Sequence, residues 1–174
     1  MAYLISGIQQ MGIGVPNVPE IWKWYRQQFG MDVRMFEEAA EAPLMVEYTG
    51  KKVQARTATL ALSMQGDGGF EIWQYTSRNT EKANFEIQMG DLGIFVCRIK
   101  SKNIEKTFSQ FKTNGANVLG KVEQTPDGKS HFFVKDPNGN IFDMVEGDGW
   151  FAETGNLCGG VAGAMLGVSD IEKS

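Results

Sequence analysis

Histidine and cysteine are scarce in this 174-residue chain, which carries one histidine, His131, and two cysteines, Cys97 and Cys158. A single imidazole excludes a zinc site built from several histidines and a pair of histidines one helical turn apart; two cysteines exclude a Cys₄ cluster. The cysteines cannot make a disulfide framework and lack metal-ligand spacing, which fits a reducing compartment and two small buried apolar side chains. Blocks of lysine or arginine are also missing. Seventeen basic and 21 acidic residues leave a net charge of −4, so neither nucleic acid nor an anionic membrane is an expected partner. The first twelve residues lack the basic start and continuous apolar core of a secretory signal. The longest apolar stretch, 157–168, is rich in glycine and short of the about 20 residues that span a bilayer. The cytoplasm is the expected location.

What is present is a duplicated pattern. With 42% hydrophobic and 11% aromatic residues, the chain can bury a core of about one domain. Segments 7–15 and 160–168 align without gaps, each a short glycine-bracketed strand running into Asn17 or Asp170, residues that cap helices. Segment 90–96 is a third look-alike. From Asn17, the spacing Asn-x-x-Glu20 and the positions Ile21, Tyr25 and Gln28 predict a helix that stops at Phe29-Gly30. Strands are predicted at 31–36, 44–48, 58–64 and 70–75, with 37–42 an acidic loop or partial helix. Residues 77–89 read as a linker. The pattern restarts with a strand at 92–96 and a helix at 103–114 whose inner face is Ile104, Phe108 and Phe111. Strands follow at 116–122, 130–134 and 141–146, the last two joined by the turn Asp136-Pro-Asn-Gly-Asn140. The expected fold is α+β: two βαβββ repeats, 1–76 and 90–147, pairing into curved mixed sheets around a cavity with helices outside. The tail, 148–174, resembles the start of a third repeat, from a longer four-repeat protein or a strand that packs on a sheet edge or exchanges between subunits.

Strand 10–15, the pairs Trp24-Tyr25 and Phe29-Gly30, strand 70–73 and the run from Asp136 to Asp143 together resemble the vicinal oxygen chelate superfamily, the group of glyoxalase I, bleomycin-resistance proteins and extradiol dioxygenases. The resemblance implies four cavity-facing metal ligands, carried over by position onto Gln10 and Glu71 in the first repeat and Asp91 and Asp143 in the second. It departs from glyoxalase I in the second repeat, where Asp91 replaces a usual histidine and Asp143 a usual glutamate. Three carboxylates and an amide favour hard ions; a divalent ion, Mg²⁺, Mn²⁺ or Ni²⁺, is the cofactor implied. Such an ion would grip adjacent substrate oxygens, with Glu71 or Asp143 as the general base. Trp73, Tyr75, Phe95 and Phe133 are candidates for an aromatic pocket or for core, and His131 is a secondary candidate because it alone titrates near neutrality. Two functions stand open: a metal-dependent lyase or isomerase acting on a small oxygenated substrate, and a metal-free small-molecule binder of the bleomycin-resistance type. A small molecule is the expected partner, and a second copy of the chain is a further candidate.

Overall fold

The computed structural model describes residue 4 and residues 6–174. The first repeat runs β1 (Gln10–Gly14), α1 (Val18–Phe29), β2 (Val33–Glu41), β3 (Ala55–Leu62) and β4 (Gly69–Tyr75). The second runs β5 (Gly93–Ser101), α2 (Ile104–Thr113), β6 (Asn117–Gln124), β7 (Ser130–Lys135) and β8 (Ile141–Glu146), and β9 (Cys158–Gly167) follows. Four strands form one sheet in the order β1-β4-β3-β2, and five form the other in the order β6-β7-β8-β5-β9. In each repeat the outer strands of the βαβββ unit pair in parallel, β1 with β4 and β5 with β8, while the hairpins are antiparallel. The architecture is therefore α+β with two mixed sheets.

Capping sets the helices as the sequence suggests. Asn17 accepts a hydrogen bond from the Glu20 backbone N–H, Asn103 accepts one from that of Lys106, and Gly30 ends α1 in the left-handed conformation at φ +67°. The middle of the first repeat differs from expectation. Segment 44–48 is no strand but part of a 3-10 helix, Pro43–Tyr48; Pro43 has no N–H for a ladder, and Met45 and Thr49 close i→i+3 bonds onto Ala42 and Val46. The acidic stretch left open between loop and helix instead lengthens β2 to Glu41. As an edge strand exposed along nearly its whole length, it lacks the apolar alternation by which a strand is recognised.

One apolar core serves both repeats. Tyr25 and Phe29 of α1 and Phe70 of β4 pack with Phe142 of β8, and Phe29 also meets Phe111 of α2, at ring separations of 4.9 to 6.0 Å. Each of these fully buried rings contributes about 1.5–3 kcal/mol. The Asp136-Pro-Asn-Gly-Asn140 turn bolts the repeats together. Asp136 Oδ1 accepts from the backbones of Asn138 and Asn140, and its Oδ2 accepts from the buried Tyr25 hydroxyl at 2.7 Å. Burial, with the Asp136 charge second, pushes the Tyr25 hydroxyl well above its ordinary pKa.

Strand β9 lies antiparallel to β5 and touches the first sheet through a bridge between Val161 and Gly68. Only glycine fits there: a Cβ at Gly160 would run into the carbonyl oxygens of Gly68 and Gly66. The approach to β9 is held by buried Gln65, whose amide donates to the Asn156 carbonyl and accepts from the Thr154 N–H and hydroxyl. Asp170 then caps a single 3-10 turn, Ile171–Lys173. Among the described residues no helix is long and apolar enough to cross a membrane.

Candidate functional site

Side-chain alternation gives each sheet a helix-packed face and a bare face. On β4, Phe70 and Ile72 enter the core, which turns Glu71, Trp73 and Tyr75 to the bare face. On β8, Phe142 and Met144 enter the core, which turns Asp143 the same way. Both proposed carboxylates therefore share the kind of surface that the resemblance requires, yet their surroundings differ.

In the first repeat, Gln10 of β1 donates its side-chain amide to the Glu71 carboxylate. Gly12 is the register partner of Glu71 and presents nothing. Beside them, Trp73 and Tyr75 meet edge to face at 6.4 Å. The Arg56 guanidinium sits 4.8 Å over Trp73 and is tied to Glu38, while Arg78 lies 5.9 Å from the Tyr75 ring. These two aromatic faces are thus occupied by cations from the chain itself.

In the second repeat, the register partner of Asp143 is Arg98. Asp143 is fully buried, and both of its oxygens are engaged: Oδ2 accepts from Arg98 Nε at 2.9 Å, and Oδ1 pairs with His131 Nδ1 at 2.7 Å. His131 is 12% exposed, with the Phe133 ring edge-on at 5.2 Å. Both line a cleft of about 530 Å³ whose other walls include Leu119, Lys121 and Glu123.

The register also decides which residues correspond. Met11 pairs with Phe70 and Gly12 with Glu71; Cys97 pairs with Phe142 and Arg98 with Asp143. The counterpart of Gln10 is therefore Val96, two residues before Arg98, and not Asp91. Asp91 lies exposed in the turn before β5, where its carboxylate accepts from the Gln88 N–H at 2.8 Å. Phe95 sits at a break in the β5–β9 pairing, and the His131 cleft is lined without it. The structure brings Gln10 to Glu71 and His131 to Asp143, and it leaves Asp91 with neither pair.

The donor chemistry does not fit the implied four-ligand metal site. A hydrophobic side chain stands where the third ligand belongs, the fourth is neutralised by a guanidinium, and among the described residues no three His, Cys, Asp or Glu side chains cluster to hold an ion. The residue that sequence reasoning missed is Arg98. Its signal was there, since a cation inside the apolar run Val96-Cys97-Arg98-Ile99 requires a buried partner.

The family model for the glyoxalase/bleomycin resistance protein/dioxygenase superfamily matches residues 7–144. The chain belongs to that superfamily. Among solved structures, a glyoxalase family protein from Bacillus cereus is similar over 84% of this chain and 97% of its own, at a TM-score of 0.65 and 15% identity. A glyoxylase/bleomycin resistance protein/dioxygenase domain from Frankia matches 83% of this chain and all of its own, at a TM-score of 0.61 and 9% identity. A glyoxalase I mutant from Zea mays matches at a TM-score of 0.51 and 14% identity over 80% of this chain and 44% of its own. At these identities the likeness is one of fold. No curated protein matches the chain.

Proposed function

We infer that this superfamily member binds a small, mainly apolar molecule without a metal, on the bare face of its second sheet. The observation that carries this reading is the commitment of Asp143 to Arg98 and His131, which removes a carboxylate from any ligand set and leaves an oriented imidazole beside apolar walls. The test is NMR titration with aromatic fragments. The expected result is chemical-shift change at His131, Phe133 and Leu119, lost in the His131→Ala variant; shifts confined to Trp73 and Tyr75 would move the site to the first sheet.

A second reading, the metal-dependent lyase or isomerase, draws its support from the Gln10–Glu71 pair across β1 and β4. It expects Mg²⁺, Mn²⁺ or Ni²⁺ to raise the melting temperature of the chain and the Glu71→Gln change to abolish the rise. A metal-induced rise that depends on Glu71 would overturn the metal-free reading.

A further inference from the structure

We propose that His131 is the hydrogen-bond acceptor that selects the ligand, so that the cleft takes a neutral, flat apolar molecule bearing one hydroxyl donor, a phenol being the simplest. The proposal rests on the reading of the cleft as a small-molecule site and adds the class of ligand. Asp143 faces the Arg98 guanidinium through one oxygen, and an ionised carboxylate can only accept. The contact between Oδ1 and Nδ1 at 2.7 Å therefore places the imidazole proton on Nδ1. In the neutral ring this leaves the lone pair on Nε2, which takes no hydrogen-bond partner among the described residues.

The neighbouring groups do not compete for that lone pair. Asp143 on β8 is spent on Arg98 and His131, and Arg98 on β5 turns its Nε to Asp143. On β6, Glu123 lies opposite His131 in register but is an acceptor like Nε2, and its side chain is 61% exposed; Lys121 is 80% exposed and pairs with Glu123. On β7, Lys135 shares the face of His131 and Phe133 by alternation, but it stands four residues from His131 and the cleft is lined without it. What remains at the cleft, beside the solvent-exposed Glu123 carboxylate, is one acceptor held in a fixed direction between Leu119 and Phe133. A ligand hydroxyl fills it; an ether of the same shape leaves it empty, which is the asymmetry that makes polar recognition discriminating.

Two measurements test this. Nitrogen-15 spectra of the imidazole in the unliganded protein above neutral pH should show the proton on Nδ1; a proton on Nε2 overturns the proposal without any variant. Titration with phenol and with its methyl ether, anisole, should then show phenol binding about tenfold tighter, with the Nε2 resonance responding to phenol alone. The His131→Phe variant should bind both equally. Equal binding of the two probes by the unaltered protein would overturn the acceptor role while keeping the cleft as an apolar site. Binding of neither probe would overturn the cleft reading itself.

Discussion

Glu71 and Asp143 occupy corresponding positions in the two repeats, each on the last strand of its βαβββ unit and each on the bare face of its sheet. Their neighbours across the parallel pairing are Gly12 and Arg98, and Glu71 takes Gln10 where Asp143 takes His131. Glu71 is half-buried beside a neutral amide. Asp143 is fully buried between a guanidinium and an imidazole. A duplicated fold thus repeats where a carboxylate points without repeating what it can do. Coulombic and hydrogen-bonding partners supplied by the adjacent strand decide that.

The largest effect is expected from breaking the second cluster. Asp143→Ala leaves Arg98 without its buried partner and His131 without its acceptor, and loss of one member of a buried pair costs about 3–5 kcal/mol. Urea unfolding should show that loss, whereas Glu71→Gln, which keeps shape and a hydrogen-bonding amide, should cost less than about 1 kcal/mol. Equal losses at the two sites would erase the contrast between the repeats.

Alkaline pH should bear on the second sheet next. Cys97 on β5 and Cys158 on β9 are buried, and burial pushes both thiols up from 9.0 to about 12. The unfolded chain therefore loses these protons first. Each thiol's contribution is fully present below pH 9 and is lost as the pH rises towards 12, at about 1.4 kcal/mol per pH unit. Comparing urea midpoints at pH 8 and pH 10, the Cys158→Ala variant should lose about 1.4 kcal/mol less than the unaltered chain on the shift to pH 10. An unchanged difference would mean that Cys158 ionises in the folded protein as it does in the unfolded one.

The fold was legible because its signals are local. Asn17 and Asn103 cap helices from the sequence positions at which they stand, and the Asp136-Pro-Asn-Gly-Asn140 turn closes through its own backbone. Alternation also put Glu71 and Asp143 on the correct faces. What could not be read was register. Whether Asp91 or Val96 answers to Gln10 depends on how β5 slides against β8, a pairing made across 45 residues and invisible to periodicity within one strand. Edge position hid the far half of β2 for a related reason, since neither face of it is buried. Arg98 escaped notice because its meaning lies in its partner.

Register also makes the smallest effect a discriminating one. Asp91 holds only the Gln88 N–H in an exposed turn, so Asp91→Ala should change stability by no more than about 0.5 kcal/mol and should leave any metal-induced shift in melting temperature untouched. A ligand set aligned on sequence position would demand the opposite, because removing one of four oxygen donors lowers affinity for a hard ion. If the Asp91→Ala change abolished a metal response, β5 would have to pair one or more residues out of the register seen here. Such a slip by an odd number of residues would turn Arg98 into the core and Cys97 towards Asp143, burying a guanidinium among apolar side chains such as Phe142 and Met144.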